Sequence, residues 1–125
     1  MENVALDTSV CIEIIKNKQH GISISEQISG NEIFLASVSL FELLLRKTNL
    51  EAVGMFAARM KLLDFDEKAA RKASDIAKEL GSKGEAVGLL DIFIAATAIV
   101  NNCALATLNT KDFSRIKGLK LVRLR

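Results

Sequence analysis

Four carboxylates dispersed along the chain, Asp7, Glu42, Asp91 and Asp112, are the side chains whose type and position could do chemistry. Brought together they would repel one another, since two such charges ~5 Å apart cost roughly 3 kcal/mol at an effective dielectric of about 20. A cluster of this kind has to take up protons or bind a cation. Oxygen ligands without histidine or thiolate favour magnesium or manganese, and such an ion activates water beside a phosphate. The predicted chemistry is therefore metal-dependent hydrolysis of a phosphodiester.

The elements that must position these acids can be predicted from the apolar pattern. Short apolar segments alternate with longer segments of helical periodicity, which predicts an α/β fold with a parallel sheet covered by helices. The predicted strands are residues 3–6, 32–36, 62–65, 103–106 and 119–122. The predicted helices are residues 8–17, 23–29, 39–47, 49–61, 67–80, 88–101 and 112–116, and Asp66 is predicted to cap the fifth. Polar residues around His20 and Gly21 should separate the first two helices, and residues 81–84 should form a loop.

Three of the acids, Asp7, Glu42 and Asp112, each follow a predicted strand. The carboxyl ends of parallel strands share one edge of a sheet, where ligands bind, so these three acids are expected at that edge. Asp91 is the only charge between Ala86 and Asn101, and an unpaired carboxylate in so apolar a helix is costly to desolvate. It joins the other acids if its helix begins at the same edge, a point that the sequence leaves open.

Each acid also has a purely structural interpretation. Asp7 could cap the helix that follows it, and Ser39-Leu-Phe-Glu42 matches the capping-box pattern in which serine and glutamate close a helix N-terminus. Asp91 could favour the first turn of its helix through the helix dipole, and Asp112 could cap a short turn. Convergence of all four acids on one edge is what distinguishes a site from four separate caps.

The bulk composition indicates one globular domain, residues 1–125, with half of its residues hydrophobic and a formal charge of only +2. Cys11 and Cys103 have no CxxC spacing, which argues against a zinc site or a disulfide. The N-terminal residues lack the pattern of a secretory signal, and the longest apolar run is shorter than the ~20 residues of a membrane span. We expect a soluble, cytoplasmic protein that does not enter a membrane.

The motifs in their order resemble the PIN-domain family, and most closely its VapC-type toxins of toxin–antitoxin pairs. They are Asp7-Thr-Ser-Val after a strand, Ser39-x-x-Glu42 on a helix, Gly88-Leu-Leu-Asp91-x-x-Ile94-Ala-Ala-Thr-Ala, and Thr107-x-Asn109-x-x-Asp112-Phe113. The similarity extends from Val4 to about Val122. Each motif is weak singly, but four in the correct order are specific.

That resemblance implies a three-layer α/β/α sandwich around a mostly parallel sheet, and an endoribonuclease that cleaves single-stranded or structured RNA such as tRNA or rRNA. It implies that the four acids hold Mg²⁺ or Mn²⁺, with Ser9, Thr107 and Asn109 supporting them by hydrogen bonds. It also implies a small antitoxin partner and a homodimer. Two alternatives stay open: a PIN-type RNA-processing nuclease that is not a toxin, and a non-catalytic PIN-like module that binds RNA or protein.

Overall fold

The centre of the fold is a sheet of four parallel strands. A computed structural model describes residues 2–125 and contains β1 (Asn3–Leu6), β2 (Glu32–Ala36), β3 (Lys61–Leu63) and β4 (Ala104–Ala106). Their order is β3-β2-β1-β4, and every neighbouring pair is parallel. Leu6, the last residue of β1, pairs with Leu35 of β2 and Ala106 of β4. The predicted parallel sheet is confirmed.

Helices connect the strands and cover both faces of the sheet. They are α1 (Thr8–Lys16), α2 (Gln19–Ile28), α3 (Ser37–Leu44), α4 (Leu50–Ala58), α5 (Glu67–Ser82), α6 (Leu89–Val100) and α7 (Thr110–Phe113). Because side chains alternate across a strand, Val4 and Leu6 pack with α1 to α4, whereas Ala5 packs with α5 and α6 on the other face. Two hydrophobic clusters therefore lie on either side of one sheet, which is the predicted three-layer arrangement.

The helices of the second face follow directly from their sequences. In α5 the residues Ala69, Ala73, Ile76 and Leu80 recur at helical spacing and are buried. The Asp66 side chain accepts a hydrogen bond of 3.0 Å from the Ala69 amide, so the predicted cap is confirmed. The more apolar α6 packs between α5 and the sheet and spans 12 residues. Within residues 2–125 no helix has both the length and the apolar character needed to cross a membrane.

The prediction that polar residues around His20 and Gly21 separate the first two helices is wrong. Both residues lie inside α2, and the break falls at Asn17, whose φ of 54° is left-handed. A Cβ at Gly21 would lie 2.0 Å from the Glu13 carbonyl oxygen, so glycine is present because α1 and α2 touch there. Gly21 thus marks a close contact between two helices and not the end of a helix.

One structural interpretation and two local predictions need correction. The capping box at Ser39 is absent, because α3 begins at Ser37 and its N-cap residue is Ala36, which has no side-chain cap bond. The Ser39 hydroxyl donates instead to the Leu6 carbonyl across the core, at 3.5 Å. The predicted strand 119–122 is only an isolated parallel bridge between Leu121 and Leu105. The predicted loop 81–84 is shorter, since α5 continues to Ser82.

Candidate metal centre at the carboxyl edge of the sheet

The order in which strands are added to the sheet reverses between β1 and β4. From β1 the sheet grows through β2 to β3 on one side, and β4 is added on the other side. In open α/β sheets the crevice for a ligand lies beyond the carboxyl ends of the strands at such a switch point. Asp7 follows β1 and Thr107 follows β4, and the Asp7 amide donates to the Ala106 carbonyl at 2.9 Å. This crevice is the location of the candidate site.

Asp7 is held by two hydroxyl groups. Its Oδ2 accepts hydrogen bonds from Thr107 Oγ1 at 2.7 Å and from Ser9 Oγ at 2.9 Å, and the residue is only 4% exposed. Asp7 occupies the N-cap position of α1, but its side chain makes no cap bond. The carboxylate is turned toward Thr107, so capping does not account for it.

The segment after β4 is tied to the same residues. The Ser9 hydroxyl accepts from the Leu108 amide at 3.1 Å, and the Thr107 hydroxyl accepts from the Asn109 amide at 2.9 Å. Asn109 in turn donates through its side-chain amide to Asp112 Oδ2 at 3.2 Å. Ser9 and Thr107 therefore bond directly to Asp7, and Asn109 bonds to Asp112.

Glu42 lies in the second turn of α3 and is anchored by a residue that the sequence interpretation missed. Thr8 Oγ1 donates a 2.6 Å hydrogen bond to Glu42 Oε1. Thr8 directly follows Asp7, so the first turn of α1 supplies hydroxyls to two of the four acids. The available signal was a hydroxyl on each of the two residues after the strand-end aspartate, Thr8 and Ser9.

Arg115 is the second residue that was missed. Its guanidinium lies 3.7 Å from Asp112 Oδ1 and 3.7 Å from Glu85 Oε2, and it donates a 2.9 Å hydrogen bond to the Ala86 carbonyl. Arg115 thereby joins Asp112 to the segment that leads into α6. Its position one helical turn after Asp112 was the only hint in the sequence.

Asp91 faces the other three acids from the first turn of α6. Burial raises the pKa of its carboxyl to about 6, with further increases from the negative charges of Asp7, Glu42 and Asp112. Among residues 2–125 no side chain donates a hydrogen bond or an ion pair to the Asp91 carboxylate. The structure thus brings the four predicted acids to one edge, with Asp91 as the member without a protein donor.

The acids are close but are not already arranged as a ligand cage. Within the described part of the chain, no three acidic, histidine or cysteine side chains converge on one point at metal-ligand distances. Asp7, Glu42 and Asp112 are each turned onto a protein donor instead. Burial also raises the pKa of the nearby Cys11 thiol, so this group stays protonated and is no thiolate ligand. The donor set at the edge consists of carboxylate and hydroxyl oxygens.

Comparison with known proteins agrees with this fold and geometry. Residues 4–119 match the family model described as PIN domain. The tRNA(fMet)-specific endonucleases VapC of Shigella flexneri and Salmonella typhimurium are 33% and 34% identical to the chain, over 92% and 93% of both partners respectively. The crystal structure of VapBC2 from Rickettsia felis, bound to a promoter DNA fragment, superposes with a TM-score of 0.85 at 27% identity, covering 98% of this chain and 99% of the other.

The chain therefore belongs to the PIN-domain family. Within that family its relatives are ribonucleases of the VapC type, and the prediction of a VapC-type toxin endoribonuclease with an α/β/α fold is confirmed. Ribonucleases with this domain depend in general on divalent metal ions.

Proposed function

We propose that residues 1–125 act as one cytoplasmic nuclease domain whose Asp7, Glu42, Asp91 and Asp112 hold Mg²⁺ or Mn²⁺ for RNA cleavage. The observation that carries this proposal is the position of the Asp91 carboxylate, which faces three other carboxylates and has no donor among the described residues; burial and these charges raise its pKa to about 6. Burial and the neighbouring negative charges both oppose ionisation of this carboxyl, so a bound cation would stabilise its ionised form strongly. Asp7, Glu42 and Asp112 supply negative charge to the same place.

The chemistry of the donor set fits a hard divalent ion. Oxygen ligands without imidazole or thiolate favour magnesium or manganese over zinc and copper. Magnesium keeps several of its waters and commonly takes only one or two protein carboxylates directly. Carboxylates that keep their own hydrogen bonds, as Asp7 and Glu42 do, are suited to contact such an ion partly through water. This accounts for a site whose acids are near one another without forming a closed cage.

A bound ion would supply a more acidic water and neutralise charge on the phosphate. The protein's own part is to fix the acids. Thr107 and Ser9 orient Asp7, Thr8 orients Glu42, and the side-chain amide of Asn109 orients Asp112.

We propose that the substrate is a single-stranded part of a structured RNA, with initiator tRNA as the first candidate. Two relatives that match more than nine-tenths of the chain are described as tRNA(fMet)-specific endonucleases. The net charge of +2 neither supports nor excludes binding to RNA in general. Selection among RNAs would depend on shape and on contacts beside the acids.

We also propose an antitoxin partner, because the superposed Rickettsia felis protein is a VapBC complex. Large apolar side chains that are about half exposed lie together in sequence on α3, α4 and the link between them: Phe41, Leu44, Leu45, Leu50 and Met55. Exposed apolar residues in such number are typical of a protein contact surface. Sedimentation of the chain alone tests the predicted homodimer, and the Leu45→Glu variant tests the part that this surface takes in it.

The decisive test combines cleavage with metal binding. Purified protein is incubated with initiator tRNA and, separately, an elongator tRNA, with Mg²⁺, with Mn²⁺ or with a chelator. We expect cleavage of the initiator tRNA only with metal, and its loss in Asp91→Asn and Asp112→Asn. Calorimetry should show Mn²⁺ binding to the parent and at least tenfold weaker binding to Asp91→Asn. RNA binding without metal-dependent cleavage by the parent would instead favour the non-catalytic module, and equal cleavage of both tRNAs would refute initiator specificity.

A further inference from the structure

A cavity of about 450 Å³ opens beside the candidate metal centre, on the outer side of β4. One wall contains Thr107, whose hydroxyl bonds to Asp7, and the opposite wall is the segment 121–124. Two backbone hydrogen bonds fix this segment along β4: Leu105 donates to Lys120 at 2.8 Å, and Val122 donates to Leu105 at 2.9 Å. The segment runs parallel to β4, so residues 122–124 reach the same carboxyl edge as the acids. We call this space the Arg123 cavity.

The lining of the Arg123 cavity combines an apolar surface with a positive charge. Leu108 is 42% exposed there, Thr110 contributes a hydroxyl, and Arg123 is an exposed cation. Within residues 2–125 no carboxylate lies within ion-pair distance of Arg123, whereas Arg115 and Lys120 are both paired. The Arg123 guanidinium is therefore available to an anionic ligand.

A second cavity, which is lined by several cations, does not have this character. It measures about 340 Å³ between α5 and residues 115–118, and acids and bases alternate along its wall, including Lys72, Asp75 and Glu79. Its arginine is Arg115, which already contacts Asp112 and Glu85. A phosphate there would compete with carboxylates, while in the Arg123 cavity it would not.

The electrostatics of the site require a cation near the path of the RNA. Four carboxylates at the sheet edge repel a phosphodiester backbone, and a metal ion compensates only the charge at its own position. A neighbouring phosphate needs its own partner, and arginine can form two parallel hydrogen bonds to phosphate oxygens. A base attached to that phosphate would need an apolar surface, which Leu108 offers.

We propose that the Arg123 cavity is a nucleotide subsite of the RNA substrate, in which Arg123 binds a phosphate flanking the cleaved one and Leu108 contacts the adjoining base. This inference rests on the proposed ribonuclease function and extends it to a second place along the RNA. Thr107 links the two places, because it lines the cavity and fixes Asp7. The subsite acts on binding and leaves the acids in place.

The test compares charge changes at opposite edges of the sheet. Arg123→Ala, Arg123→Glu and Arg123→Lys are matched with Arg59→Ala and Arg59→Glu, since Arg59 is exposed at the end of α4, just before β3 begins at the other edge. Anisotropy of a labelled single-stranded RNA gives Kd without metal, and cleavage kinetics with Mn²⁺ give kcat and KM. Melting temperatures establish that each variant is folded.

We expect Arg123→Ala to raise Kd and KM about tenfold with kcat nearly unchanged, because one charge-assisted contact is lost. Arg123→Lys should restore part of the affinity, and the slope of log Kd against log salt should fall by about one in Arg123→Ala. Leu108→Ala should weaken binding about threefold without altering the salt slope. The Arg59 variants should resemble the parent.

Several outcomes would overturn the subsite. One is a parent that cleaves RNA while its Arg123 and Arg59 variants behave alike. Another is an Arg123→Glu variant that alters association between copies in sedimentation but leaves RNA affinity intact, which would make the cavity a protein contact. A parent that binds RNA but does not cleave it would refute the proposed function alone. The Kd values of the Arg123 and Arg59 variants would still test the subsite. Absence of any RNA binding would refute both.

Discussion

The hydroxyl of Thr107 donates a 2.7 Å hydrogen bond to the carboxylate of Asp7, a residue 100 positions away in the sequence. Both residues are almost fully buried, at 1% and 4% exposure. The same hydroxyl accepts a hydrogen bond from the Asn109 amide. One side chain thus joins the ends of the two central strands and orients the carboxylate between them.

Replacing Thr107 by valine should therefore destabilise the protein by about 2 kcal/mol, because a buried carboxylate and a backbone amide each lose a partner. Thr107→Ser keeps the hydroxyl and should retain most of the stability. Urea unfolding measures both, with Thr48→Val as an exposed control expected within about 0.5 kcal/mol of the parent. Equal stability of the valine and serine variants would show that the hydrogen bond contributes nothing.

Arg115→Ala should lower both stability and RNA cleavage. The change removes the hydrogen bond to the Ala86 carbonyl and the contacts with Asp112 and Glu85, at a cost of about 1–2 kcal/mol. Asp112 then loses a restraint, so cleavage should fall more than binding of RNA. Arg71→Ala, which breaks an exposed pair with Glu67 on α5, should change stability by no more than about 0.5 kcal/mol. Matching losses in the two variants would contradict a special role for Arg115.

The metal-free protein should lose stability as the pH rises from about 4 to 6. The pKa of Asp91 is raised from 3.8 to about 6, so the folded state holds this proton more tightly than the unfolded chain does. The stabilisation from the proton is complete below the unfolded pKa and is lost as the pH rises through the folded one. At about 1.4 kcal/mol per pKa unit, about 3 kcal/mol is the upper limit of the loss, and solvent screening of this partly exposed group makes the loss smaller.

Asp91→Asn should abolish that loss, so that the difference in unfolding free energy between variant and parent grows over the same pH range. Chelator-treated samples unfolded in urea at several pH values measure it. Exposed Asp64→Asn serves as the control and should parallel the parent. Parallel curves for Asp91→Asn and the parent would mean that the pKa of Asp91 is not raised in the folded protein.

Two glycine substitutions should have opposite effects. A Cβ at Gly21 would meet the Glu13 carbonyl at 2.0 Å, so Gly21→Ala must separate α1 from α2 and should cost about 3 kcal/mol. At Gly54, inside α4, a Cβ meets nothing within 4 Å, and alanine should stabilise by up to about 1 kcal/mol through helix propensity. Thermal unfolding of the pair tests the α1–α2 contact, and a tolerated Gly21→Ala would refute it.

The sequence was most informative where local pattern and tertiary environment agree. The strand Glu32–Ala36 and the cap at Asp66 were predicted correctly, because alternation, apolar runs and N-cap chemistry act over a few residues. The strand-end position of Asp7 followed from the same alternation combined with parallel topology. These inferences were enough to place Asp7, Glu42 and Asp112 at one edge, while the position of Asp91 stayed open.

The predictions fail where the conformation of a residue depends on a partner that is distant in the sequence. Ser39 fits a local capping motif, yet its hydroxyl bonds to Leu6 on a different strand. Thr8 was passed over because its acceptor, Glu42, is 34 positions away. Residues 119–122 have strand composition, but they form only one isolated bridge with β4, between Leu121 and Leu105. The periodicity of apolar residues contains no information about such long-range contacts.

The pairing of the first strand with the last has a consequence for biosynthesis. Asp7 bonds to Thr107 and Ala106 only after β4 has paired with β1, which closes a loop of about a hundred residues. Asp112 also reaches the site only at that point. A polypeptide still emerging from the ribosome, with residues beyond 103 inside the exit tunnel, lacks β4 and one of its four acids. Such a nascent chain cannot assemble the nuclease, and the site forms only once β4 and Asp112 have left the exit tunnel.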